Sequence, residues 1–211
     1  MALTLVKKLS YLQEEQKHSQ TYLEIGNLRL LRGSLTEFTG ETSTGKTSLV
    51  FMLLSALTQK GEICAVVDLN NSFNPQSAKA CNIVLENLLW IKCGGNVEHA
   101  FRSVDHLIQA KNFGMIWMDL SDDLLNDFRF IPSSYWYRFR TRIKDSQTIL
   151  ITTPQRPLMG SASNQAHRFD RQNVIWSGHG RFKLIKELQI DLSTSKPFFV
   201  QPEFIRIEAR Y

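Results

Sequence analysis

The stretch Gly40-Glu41-Thr42-Ser43-Thr44-Gly45-Lys46-Thr47-Ser48 constrains this chain more than any other. It fits the spacing G-x-x-x-x-G-K-[ST] and lies between a strand-like and a helix-like run. Leu35 to Thr39 alternates apolar and polar residues, as a half-buried strand does, and Ser48 to Lys60 is free of Gly and Pro and long enough for a helix. Gly40 and Gly45 let the backbone turn with its N–H groups inward, and a helix opening at Lys46 adds the partial positive charge of its N-terminus. Phosphate oxygens fit that nest. The pattern assigns Gly40, Glu41, Thr42, Ser43, Thr44, Gly45, Lys46, Thr47 and Ser48 to a nucleotide. Lys46 would reach the β and γ phosphates, and the Thr47 hydroxyl would take one position on Mg2+.

With 211 residues and 43% hydrophobic composition, the chain is expected to build one sizeable core, over 25–211, with an appendage over 1–24. Leu3, Leu5, Val6, Leu9 and Leu12 fall at spacings that a short helix over 1–20 would gather on one side. No stretch approaches about eighteen uninterrupted apolar residues, and no run has the build of a secretory signal, so the expectation is a cytosolic protein without a membrane partner. Cys64, Cys81 and Cys93 lack C-x-x-C spacing, and the five histidines are scattered, which argues against a disulfide framework or a metal site of protein ligands alone.

Past the loop, Ile63 to Val67 is a continuous apolar run ending in Asp68, and Met115 to Met118 is another ending in Asp119. Runs of this kind are parallel strands buried on both faces. Leu88 to Ile91 and Ile149 to Ile151 read as further strands. Gln76 to Cys81, Val97 to Lys111 and Ser133 to Lys144 read as helices, the last with Ser133 as its cap and Trp136, Phe139 and Ile143 on one face. Strands alternating with helices make an α/β fold with a mainly parallel sheet, in which ligands gather at the carboxyl ends of the strands. Asp68 and Asp119 both belong to that edge, and Asp119 suits a magnesium-holding acid acting through water. Pro154 to Arg171 shows no periodicity and reads as a long irregular segment. Val174 to Trp176, Leu184 to Leu192 and Phe204 to Ile207 read as strands that extend the sheet antiparallel.

Charge is unevenly spread. Between Phe128 and Lys186 eleven basic residues face only Asp145 and Asp170, whereas the whole chain has a net charge of +5. One face of the later half is therefore expected to meet a polyanion or an acidic partner, with Arg138, Arg142, Arg156, Arg168 and Arg171 as candidates.

Several of these segments, in order, resemble the RecA recombinase core: Gly33 to Glu37, Gly40 to Ser48, Val67-Asp68-Leu69-Asn70 with Phe73-Asn74-Pro75, Asn87 to Trp90, Asp119, and Gln155-Arg156-Pro157-Leu158. The resemblance covers roughly residues 25 to 180. Leu88 to Cys93 and Phe113 to Leu120 look most like the shortened accessory proteins of bacterial mutagenesis cassettes, the ImuA type. That resemblance implies a RecA-like fold, ATP with Mg2+, and a DNA-repair role in the SOS response, in translesion synthesis. The partners it implies are DNA, translesion polymerase-type proteins, RecA and further copies of the chain.

Departures from the recombinase pattern limit what it implies. The position of the catalytic Glu, two residues after the strand-end acid, holds Asn70, with Asp68 as the possible substitute. Few residues separate Asp119 from the helix at Ser133, where a recombinase has its first DNA-binding loop. The switch Gln position falls on Thr153 or Pro154, with Gln155 one place away. Arg156, Arg168 and Arg171 fall where recombinases place their second DNA-binding loop. The compact C-terminal domain of a recombinase is not expected within these residues. An accessory ATP-binding adaptor with weak or absent hydrolysis is the expectation. The alternatives are a DNA-stimulated ATPase and a RecA-like regulatory module, of the cell-division-inhibitor kind, that does not act on DNA.

Overall fold

The computed structural model describes residues 21–120, 132–177, 184–196 and 203–208. The helix expected over 1–20 and the stretch joining Leu120 to Pro132 lie outside the described residues.

Continuous apolar runs form the middle of the sheet, as their composition requires. Strands β3 (Ser34–Thr39), β4 (Cys64–Asp68), β5 (Leu88–Lys92), β6 (Met115–Asp119) and β7 (Ile149–Thr152) are all parallel, and β8 (Gln165–Ser177) joins β3 in the same direction. β9 (Leu184–Lys196) and β10 (Glu203–Glu208) then add antiparallel strands, as the alternation in their sequences predicts. The order across the eight strands is β10-β9-β8-β3-β7-β6-β4-β5.

Two layers cover the sheet. On one face α1 (Lys46–Gln59) and α2 (Pro75–Ala80) pack with Phe38, Val66, Trp117 and Ile151. The hairpin of β1 (Tyr22–Ile25) and β2 (Leu28–Leu31) closes this face through Leu23, Leu28 and Leu30. β1 runs across the 24/25 boundary drawn from sequence. On the other face α3 (Val97–Ala110) and α4 (Ser134–Ile143) pack with Leu35, Val67, Ile116 and Leu150. Trp136, Phe139 and Ile143 are buried there as their spacing predicts, with the Phe101 ring 4.9 Å from Trp136 and 5.8 Å from Phe139.

Three expectations need correction. β3 is buried along its whole length, not half-buried: it lies between β7 and β8 in the middle of the sheet, where Ser34, Glu37 and Thr39 find hydrogen-bond partners and the buried Thr36 hydroxyl has none. Ser133 precedes α4 with no side-chain cap hydrogen bond, because its backbone is helical where a capping residue is extended; its carbonyl accepts from Trp136 and Tyr137. The segment 154–171 is not one irregular loop. It makes a 3-10 turn at Gly160–Ala162 and enters β8 at Gln165, so Arg168 and Arg171 lie on a strand. Long-range hydrogen bonds impose that order: Asn164 Oδ1 accepts from Leu35 N at 3.1 Å, and Gln165 bonds Leu31 N and Arg29 O at 2.7 and 2.9 Å.

Candidate nucleotide site

The loop from Gly40 to Gly45 joins the end of β3 to the first turn of α1. Gly40 has φ +143° and Gly45 φ +90°, both in the region that favours glycine. A Cβ on Gly40 would stand 2.5 Å from the Phe169 carbonyl oxygen, so β8 closes on this position too tightly for any side chain. Ser43 also takes a left-handed conformation, φ 62°, and the Thr44 hydroxyl donates to Glu41 O at 2.8 Å. The loop is thus wound tightly, with successive N–H groups at the head of a fourteen-residue helix.

Lys46 is buried, and its ammonium donates to the carbonyls of Gly40 and of Pro154, the latter at 3.0 Å. Thr47 and Ser48 are exposed in the first turn of α1. The segment after β7 lies against the loop. Gln155 O accepts from Gly40 N at 3.1 Å, and Gln155 Nε2 donates to the Thr42 hydroxyl at 3.2 Å.

The two strand-end acids sit side by side, since Asp68 and Asp119 are register partners on β4 and β6. Their surroundings differ. Asp68 is fully buried and accepts from Ser72 N at 2.9 Å, Phe73 N at 3.0 Å and the Trp90 indole N–H at 3.0 Å. A carboxylate engaged by three N–H donors organises a loop, and both of its oxygens are taken up in those bonds. The geometry thus speaks against Asp68 as a substitute base. Asp119 accepts from two hydroxyls, Ser72 at 2.7 Å and Thr153 at 3.3 Å. Burial raises its carboxyl above the ordinary value; the Ser72 bond opposes that, and neighbouring Asp68 adds to it. Asn70 is half-buried at the start of the loop that Asp68 caps.

The basic candidates do not converge. Arg138 and Arg142 on α4 both turn to Asp105 of α3, at 3.6 and 2.6 Å. Arg168 pairs with Asp170 at 3.1 Å on an exposed stretch of β8, and Arg156 and Arg171 are exposed. Arg140, which the sequence did not single out, donates to Ser161 O at 2.9 Å and ties α4 to the segment after β7. Sequence reasoning also missed Glu37. It is buried on β3, three residues before the loop, and accepts from Leu158 N at 2.6 Å and Met159 N at 3.0 Å; burial raises its carboxyl. No local pattern marks it, because its partners lie more than a hundred residues away.

This arrangement fits a magnesium nucleotide by the chemistry of its groups. A glycine-bounded nest, a buried ammonium held by carbonyls, an exposed Thr hydroxyl and a hydroxyl-held carboxylate supply N–H donors for phosphate and hard oxygen for Mg2+.

A largely parallel sheet with this strand order, a glycine-bounded loop at its centre and paired acids at the ends of β4 and β6 defines a RecA-like α/β core. The chain belongs to the RecA family: the RecA N-terminal domain family matches residues 15–127, more than half of its length. It is similar to Protein RecA of Cereibacter sphaeroides, 34% identical over 97 residues, which is 46% of this chain and 27% of that protein. It is also similar to the mitochondrial DNA repair protein recA homolog of Dictyostelium discoideum, 31% identical over 90 residues, 43% of this chain and 20% of that protein. The match thus spans about a quarter of the length of these curated relatives. Among the described residues no helix is long and apolar enough to cross a membrane.

Proposed function

We propose that this chain is a RecA-like accessory protein that binds ATP with Mg2+ and works as an adaptor in DNA repair, with nucleotide serving as a clamp and hydrolysis slow or absent. Gly40 to Ser48 hold the phosphates, Lys46 neutralises them, and Thr47 and Asp119 serve the metal, Asp119 through water. Bound Mg2+ supplies charge neutralisation across the β and γ phosphates.

One observation carries the clamp reading. Asn70 stands where a recombinase has its base, and the nearby carboxylate that could replace it, Asp68, is engaged by three N–H groups. Asn can orient a water but cannot accept its proton at neutral pH. The further reading, an ImuA-type role in damage-induced translesion synthesis beside polymerase-type partners and RecA, rests on the likeness of Leu88 to Cys93 and Phe113 to Leu120. The cytosol is its compartment. Arg156, Arg168 and Arg171 remain the surface for DNA or an acidic partner, whereas Arg138 and Arg142 share Asp105 and contribute less. The 1–24 appendage is the part that would meet a neighbouring copy or the core.

Calorimetry with Mg-ATP on the intact protein and the Lys46→Ala variant, followed by steady-state turnover with and without single-stranded DNA, tests the reading. Binding that Lys46→Ala abolishes, with turnover near background, is expected. Equal affinity in both proteins, or no binding by either, refutes the site; robust DNA-stimulated turnover refutes the clamp and favours an active ATPase.

A further inference from the structure

Two carboxylates in register on adjacent parallel strands, Asp68 and Asp119, would repel each other in a desolvated site. The residues that follow β4 solve this. The bonds from Ser72 N and Phe73 N to Asp68 fold residues 69–73 back over the strand ends, and the Trp90 indole fixes the second oxygen of Asp68 from β5. The fold-back brings the Ser72 hydroxyl between the two acids, 2.7 Å from Asp119 Oδ2 and 3.4 Å from Asp68 Oδ1. One hydroxyl has one proton, and it goes to the shorter contact. The Thr153 hydroxyl reaches Asp119 Oδ1 at 3.3 Å and itself accepts the Trp117 indole N–H at 3.0 Å. Asp119 is therefore gripped on each oxygen, from two different loops.

We infer that Ser72 is the positioning residue for Asp119, and that Asp68 is the cap that presents it. The hydroxyl fixes the rotation of the carboxylate, whose remaining lone pairs would then be available to a metal's water shell. The inference rests on the nucleotide reading above and adds to it: Ser72 governs only that part of nucleotide affinity that depends on the metal. A loop that merely shaped the phosphate nest would affect binding with and without metal alike. Ser72 is exposed, and threonine keeps the hydroxyl on the same carbon.

The test is ATP affinity by calorimetry, in excess Mg2+ and again in EDTA, for the intact protein, Ser72→Ala and Ser72→Thr. Trp117 emission, isolated by comparison with Trp117→Phe, is followed during Mg2+ titration of the ATP complex. Loss of a hydrogen bond to a charged group predicts that Ser72→Ala weakens affinity about tenfold in Mg2+. Affinity in EDTA stays unchanged, Ser72→Thr restores the intact value, and the Trp117 response to Mg2+ shifts to higher metal concentration in Ser72→Ala alone. Equal losses in Mg2+ and EDTA, no loss at all, or failure of Ser72→Thr to restore overturns the inference while the nucleotide site stands. An intact protein that binds no ATP in either buffer overturns both.

Discussion

Replacing His167 by Phe should flatten the acid side of the protein's stability curve. His167 lies on β8 and is 3% exposed, with its ring edge-on to Phe38 at 5.7 Å. Its Nδ1 meets the Thr194 hydroxyl at 3.0 Å, whereas the buried Nε2 has no hydrogen-bond partner. Burial pushes its pKa from 6.5 down to about 4. In the unfolded chain His167 takes up a proton as pH falls through 6.5; in the folded chain it does so only near 4. Between those values the unfolded state binds more protons, so stability rises with pH and is lost as pH falls from 6.5 towards 4. The full difference is about 3 kcal/mol, of which about 2 kcal/mol is already lost on going from pH 7.5 to pH 5. Glu37 and Asp119, whose carboxyls burial raises, work in the opposite sense, since the folded state then takes up protons first. The quantity to measure is therefore the difference between proteins. Urea unfolding of the intact protein and His167→Phe at half-unit steps from pH 7.5 to 5 should give a gap in pH dependence of about 2 kcal/mol. Parallel curves would show that His167 titrates alike in both states, and the reasoning would fail.

Gly40→Ala should lower stability by roughly 1–3 kcal/mol and weaken ATP binding, because the new Cβ drives β8 from the loop at a strained backbone position; an unchanged melting temperature and affinity would refute the tight closure. Asn70→Glu should raise ATP turnover at least about tenfold by returning a proton acceptor to the water position, and a folded variant with no gain would show that Asn70 does not face the attacking water.

The parallel core was legible because its strands are nearly pure apolar runs, and Cys64 to Val67 or Met115 to Met118 can be buried on two faces in few other ways. The loop was legible for a different reason: Gly40 and Gly45 stand where backbone conformation excludes side chains, so the motif and the geometry are one constraint. β3 misled because Thr36 and Glu37 look like solvent-facing positions. Glu37 is buried only because the backbone of Leu158 and Met159 comes to it, and nothing within ten residues signals that. The order of 154–164 was hidden for the same reason, since Lys196 of β9 holds Ser163 and Leu35 of β3 holds Asn164 from distant strands. The basic face of α4 looked free in sequence because Asp105, which draws Arg138 and Arg142, belongs to another helix. Ser72 gave no signal; one serine in a polar loop becomes informative only once two acids are found on either side of it.

The bonds around the site suggest what nucleotide would do if it is not consumed. Three consecutive residues after β7 each touch a different part of the site: Thr153 reaches Asp119, the Pro154 carbonyl holds the Lys46 ammonium, and Gln155 bonds both Gly40 and Thr42. A phosphate in the nest competes for the same ammonium with a full charge, which a neutral carbonyl cannot match. If nucleotide binds as proposed, its phosphate would compete with the Pro154 carbonyl for Lys46, whereas the Thr153–Asp119 bond involves neither group. The next residues along the chain are Arg156 and the segment up to Ser163. That segment is pinned at its middle by Glu37 and by Arg140 of α4. Under the proposed adaptor role, a slow hydrolytic step would have a use: the longer a phosphate held Lys46, the longer the Lys46–Pro154 contact beside Arg156 would stay open. Rapid turnover at Asn70 would shorten that interval and work against an adaptor.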